Sequence, residues 1–183
     1  MIIDCDNHFF PVDAFDYMDG PFADLRPRLV FDRDVLIDID FKSGPYSVHG
    51  ATPLPAPGSG ARHEGMTDPV ARMSGYDDMG IACQITLPQF TGWWSYLIEP
   101  DLAAAMAHSW NVAMLRMAGD YPGRVHPVAL VALQNVDASI DEIHWAYANG
   151  FPAVVIDYVF PVHGHTYGTP TATHREVWPL FAV

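Results

Sequence analysis

Asp4-Cys5-Asp6-Asn7-His8-Phe9-Phe10-Pro11-Val12 follows the apolar triplet Met1-Ile2-Ile3, so acids and an imidazole alternate just as an apolar strand runs out. Residues two apart in a strand share a face, and a strand over Met1 to Asp6 would let Asp4, Asp6 and His8 aim at one spot. Carboxylate oxygen and imidazole nitrogen both bind zinc or manganese. The C-terminal end of a first parallel strand is also where β/α-barrel enzymes keep their chemistry. The competing expectation is structural, because acids at strand ends also close Asx turns on nearby amides.

Beyond this stretch the residues from about Pro11 to Gly65 read as a long insertion. Val35-Leu36-Ile37-Asp38-Ile39-Asp40-Phe41 alternates like a short strand, and Gly50 to Gly60 is rich in Pro, Gly, Ala and Ser, as loops are. Loops this long often cover a site, which makes the insertion a lid and Arg62 and His63 substrate contacts; flexible surface is the alternative for both. Asp68 then caps a helix with Pro69 at its first position, and Gly80 ends it in a left-handed turn.

A strand over Ala82 to Pro88 follows, apolar enough to be a buried parallel one. Trp93, Trp94 and Tyr96 lie on the loop after it, where they form either an aromatic wall for a planar substrate or the packing of the loop itself. A helix over Leu102 to Asp120, a strand over His126 to Leu133, a helix over Ala138 to Asn149 capped by Asp137, and a strand over Phe151 to Val159 complete the alternation. Repeated switching between the two periods is the pattern of a β/α series. After the last strand, His163 and His165 stand at alternate positions. They are weaker metal-ligand candidates than Asp6 and His8, or simply solvated loop histidines.

Ile2-Ile3-Asp4-Cys5-Asp6-Asn7-His8-Phe9-Phe10-Pro11 resembles the opening of the amidohydrolase-related family, which includes aminocarboxymuconate semialdehyde decarboxylase. That family starts with apolar residues, Asp and His-x-His, often followed by Phe-Phe-Pro. Asp6 takes the place of its first histidine and His8 that of its second. Arg72-Met73-Ser74-Gly75-Tyr76-Asp77-Asp78-Met79-Gly80-Ile81 is similar to the family's helix ending in Met-Asp-x-x-Gly-Ile. Asn111 to Arg124, closing on Tyr121-Pro122-Gly123-Arg124, is similar to its Asn...Tyr-Pro-Gly-Arg-Phe segment.

The resemblance implies an α/β fold, a partial (β/α)8 TIM-type barrel of about four β/α units with a lid-like insertion after strand 1. It also implies a metal-dependent hydrolase or non-oxidative decarboxylase acting on a small, conjugated or aromatic carboxylate. Asp6 and His8 would hold zinc, or manganese as the second choice, and Asp4 would support them. A closed barrel typically takes about 250 residues, against the 183 of this sequence. The family's later histidine and aspartate find no counterpart here, so the sequence resembles the N-terminal half of such an enzyme. The other expectation is therefore an inactive fragment, or a half-barrel that self-associates without catalysis of its own.

Nine basic residues against twenty-two acidic ones give a formal charge of -13, which argues against nucleic acid and anionic membranes as partners. A small-molecule substrate remains, with a homo-oligomer as the expected assembly. An anionic substrate would need a local positive group. No apolar run approaches the roughly 20 residues of a membrane span, and the first residues lack a basic and apolar leader pattern. Cys5 and Cys83 make neither a zinc-ribbon spacing nor a disulfide framework; both are expected to be buried, reduced and apolar in character, in a cytoplasmic protein. No Gly-x-Ser-x-Gly elbow, Walker loop or dinucleotide fingerprint is present.

Overall fold

A computed structural model of the chain describes residues 1–32, 35–40, 64–88, 99–156, 178–179 and 182–183. Strands β1 (Ile2–Phe9), β4 (Ile81–Pro88), β5 (Val125–Leu130) and β6 (Ala153–Val155) form one sheet in the order β1-β4-β5-β6. All three pairings are parallel. Helices α1 (Pro69–Met79), α2 (Pro100–Asp120) and α3 (Val136–Ala148) bridge consecutive strands. Spatial order that follows chain order without reversal is the order of a barrel; a doubly wound sheet reverses at a switch point.

The helices begin and end where local chemistry requires. Asp68 accepts from the amides of Val70 and Ala71, with Pro69 at the first helical position. Gly80 closes α1 at φ +70°, a conformation that costs an L side chain about 1–2 kcal/mol. The cap of α3 is Asn135, whose Oδ1 accepts from Ala138, and the helix starts two residues earlier than Asp137 predicted. Strand β5 is shorter than predicted: Val131 to Leu133 are buried but leave the ladder for the turn into α3. Strand β1 runs to Phe9 rather than Asp6 because Asn7, His8 and Phe9 continue the pairing with Thr86, Leu87 and Pro88.

The core lies between the sheet and the helices. Trp110 and Met114 of α2 pack on Phe9 and Phe10, and Phe10 meets Trp110 edge-on at 4.9 Å between ring centroids. Each such buried side chain contributes about 1.5–3 kcal/mol. The start of the insertion is part of this core. Ala14, Phe15 and Met18 are buried, and the Tyr17 amide donates to Ser109 Oγ on α2.

A 3-10 turn over Gly20–Leu25 leads to an antiparallel hairpin of β2 (Arg28–Asp32) and β3 (Val35–Asp40). The alternation at Val35 predicts β3, but nothing in the sequence pattern announces its partner β2. The predicted loop over Gly50 to Gly60 falls outside the described residues. So do the loop carrying Trp93, Trp94 and Tyr96, the far end of the strand predicted to reach Val159, and the body of the terminal segment.

Candidate metal-binding site

The site is built on an irregularity in β1. Asp4 pairs with Gln84 and Asn7 pairs with Thr86, so two residues, Cys5 and Asp6, stand opposite one, Ile85. Such a bulge is rare between parallel strands, and bulges concentrate next to active sites, where they re-aim a side chain. Its effect is to break the simple alternation. Asp4 and Asn7, three apart, both turn toward α1, whereas Asp6 and His8 flank the buried Asn7 and are exposed.

Asp4 therefore does not join Asp6 and His8 on one face, as strict period-2 alternation predicts. Its carboxylate accepts from the Tyr76 hydroxyl on α1 at 2.5 Å and from the Asp6 amide at 3.3 Å. The second contact is an Asx-type closure that occupies the bulge's own N–H. Asn7 secures the other flank: Nδ2 donates to the carbonyl of Ile85 at 2.7 Å and to that of Asp4 at 3.3 Å.

Arg72 of α1 ties these pieces together. Its Nη2 donates to Asn7 Oδ1 at 2.7 Å and to the Tyr76 hydroxyl at 3.2 Å, Nε donates to Gln84 Oε1 at 2.7 Å, and Nη1 donates to the Gly65 carbonyl at 2.9 Å. The guanidinium also lies over the rings of Phe9 and Tyr76, 5.7 and 5.3 Å from their centroids, a favourable placement for a cation. Burial, and then the bond to Asp4, push the Tyr76 hydroxyl up to about 12.

At the C-terminal end of β1, His8 Nδ1 lies 3.3 Å from the Pro88 carbonyl. A carbonyl can only accept, so Nδ1 is the donor in this contact. Metal-ligating histidines commonly give their other ring N–H to a backbone carbonyl in the same way. Asp6, two residues before it, offers a carboxylate from the same exposed stretch. In donor chemistry the pair fits zinc or manganese.

It is a partial ligand set, since among the described residues no three of His, Cys, Asp and Glu converge on one point. His163 and His165, and the expected substrate contacts Arg62, Trp93 and Trp94, lie outside the described residues. Cys5 is exposed and Cys83 half-buried, correcting the expectation that both are buried; Cys5 stands in the bulged stretch between the paired Asp4 and Asn7.

Sequence alone does not mark Arg72, Tyr76, Asn7 and Gln84 as site residues. A signal is present for two of them, because Arg72 and Tyr76 stand four apart and share one face of α1.

Consecutive parallel strands bridged by helices, with polar side chains gathered at the end of the first strand, define a partial TIM-type barrel. Solved structures titled as an amidohydrolase and as decarboxylases share this fold. An amidohydrolase from Mycobacterium avium subsp. paratuberculosis K-10 superposes with a TM-score of 0.59 at 17% identity, over 99% of this chain and 55% of that one. A 2,6-dihydroxybenzoate decarboxylase from Rhizobium superposes with a TM-score of 0.60 at 17% identity, over 99% of this chain and 45% of that one. A 2,6-dihydroxybenzoate decarboxylase complexed with 2,6-dihydroxybenzoate gives equal values. This chain thus spans about half the length of these solved structures, and at such identity the likeness is one of fold. No protein-family model matches the chain, and no curated protein does. Among the described residues no helix is long and apolar enough to cross a membrane.

Proposed function

We propose that this chain carries part of the metal site of a hydrolase or non-oxidative decarboxylase acting on a small, conjugated or aromatic carboxylate. The observation that carries the proposal is the pair Asp6 and His8, both exposed in the second half of β1 beside a clamped bulge, with His8 Nδ1 held against the Pro88 carbonyl. Support also comes from the fold, shared with a decarboxylase whose substrate is an aromatic carboxylate.

Asp6, through a carboxylate oxygen, and His8, through Nε2, would hold a divalent ion, zinc first and manganese second. A bound ion supplies Lewis-acid polarisation of a substrate oxygen and local positive charge in a chain of formal charge -13. The Pro88 carbonyl would accept from Nδ1 and orient the ring, with Nε2 as the ligating atom. Arg62 would meet the substrate carboxylate, and Trp93 and Trp94 would stack on its ring. His163 or His165 would add a third ligand.

Elemental analysis after exchange into metal-free buffer tests the assignment, with an Asp6→Ala, His8→Ala double variant beside the parent. Near-stoichiometric zinc or manganese that disappears in the variant is the expected result. Absence of metal from both proteins would overturn it. The sheet favours a second reading, a self-associating half-barrel without catalysis of its own, because β1 and β6 form the two ends of the four-stranded order.

A further inference from the structure

We infer that Arg72 and Tyr76 are positioning residues, which fix the β1 bulge from behind so that Asp6 and His8 present their donors to one ion. The inference rests on the metal assignment proposed above and adds to it the device that sets the ligand geometry. The two residues flanking the reacting stretch are each tied to α1. Asp4 is held by the Tyr76 hydroxyl at 2.5 Å, and Asn7 by Arg72 Nη2 at 2.7 Å. Asp6 stands between these anchors with its amide on the Asp4 carboxylate, and His8 follows directly on Asn7. A bulge adds a residue that the ladder does not hold. With both flanks pinned, that extra residue has little room to slide.

The cluster is arranged around Arg72 in a way that simple stabilisation does not require. All four acceptors of its guanidinium are neutral, and they come from four separate places: β1, β4, the turn before α1, and α1 itself. Gln84 is fully buried, and it turns its oxygen to Arg72 at the expense of its own amide, since Nε2 has no partner among the described residues. Buried amides left unpaired are uncommon and call for a reason. Here the reason is a fixed orientation of the planar fork, which a lysine ammonium cannot reproduce. Outer partners that orient ligating side chains typically alter metal affinity when removed.

The test uses the full chain with Arg72→Lys, which keeps charge but loses the fork, and Tyr76→Phe, which keeps the ring but releases Asp4. Two readouts are taken on protein shown to be folded by near-UV circular dichroism. In a cobalt(II) titration followed by its visible absorption, each variant is expected to bind about 10- to 100-fold more weakly than the parent, with an altered absorption band. In metal-free protein, the backbone resonances of Asp6 and His8 are expected to shift in both variants.

Parental cobalt affinity together with unmoved Asp6 and His8 resonances would overturn the inference and leave Arg72 a stabilising residue only. If the parent itself takes up no cobalt, the metal assignment fails, and the metal-free resonances still decide: unmoved signals overturn the positioning role. Should Arg72→Lys not fold, Tyr76→Phe alone decides between the two outcomes, because it leaves the packed ring in place.

Discussion

Tyr76 keeps its phenolic proton up to about 12, first because burial disfavours the phenolate and second because its hydroxyl donates to the Asp4 carboxylate; Arg72 pulls the other way and is outweighed. The unfolded chain releases a tyrosine proton near the ordinary value of about 10. Below that value both states hold the proton and the Tyr76 contribution is complete. Between about pH 10 and about 12 only the unfolded state ionises, so the contribution is lost as pH rises. Urea unfolding of the parent and of Tyr76→Phe should therefore show a stability difference that is constant up to about pH 10 and changes against the parent above it. A difference that stays constant to about pH 12 would show that Tyr76 is not held in this way. The exposure of Asp6 and His8 on either side of the buried Asn7 follows from alternation, a local property. The turning of Asp4 was not legible in the sequence, because its cause is distant: the Arg72–Asn7 bond spans 65 positions and the Tyr76–Asp4 bond 72.

The helical elements were legible where their chemistry is local, as at Asp68 and Gly80, and less so where two cap residues compete. Asn135 prevails over Asp137 because it serves two elements: Oδ1 caps α3, while Nδ2 donates to Asp101 at the start of α2. Packing between α2 and α3 is likewise set by polar partners that no periodicity reveals. Glu142 of α3 accepts from the buried Asn111 amide at 2.7 Å and pairs with His108 Nδ1 at 2.8 Å. Asn111 also bonds both the N–H and the C=O of Leu130 at the end of β5. The hydrogen bond to Glu142 raises the His108 pKa above its usual 6.5 against the opposing effect of burial, with Glu142 and Asp19 adding charge attraction. A raised histidine stabilises the fold fully below its unfolded value, and that stabilisation disappears as pH rises through the folded one. His108→Ala should therefore destabilise the protein more at about pH 5.5 than at about pH 9. The pair has a half-exposed member, which limits the difference to about 1 kcal/mol. Equal losses at the two pH values would mean that His108 acts by packing on Trp145, 4.9 Å away between ring centroids, and not by charge.

At the scale of the whole molecule, the β/α series was readable because the alternation of periods survives in every unit, even where strand ends were misplaced by a few residues. The hairpin of β2 and β3 escaped because only one of its strands alternates clearly, and its pairing is fixed by contact with the other. The assembled sheet is unlike a closed barrel in one physical respect: β1 and β6 each have a neighbour on one side only among the described strands. Unpaired backbone groups along a strand are a template for another chain. The start of β1 adds apolar surface to that edge, with Ile2 55% and Ile3 42% exposed. Taken alone, this 20.2 kDa chain should therefore associate through β1. Sedimentation velocity should show a particle heavier than the monomer whose size grows with concentration, and Ile3→Lys, which places a charge on the edge, should return it toward the monomer. A parent that sediments as a monomer throughout would show that the β1 edge is already covered. Association that Ile3→Lys leaves unchanged would place the contact away from the apolar start of β1, because an ammonium in place of the Ile3 side chain disfavours its burial between strands.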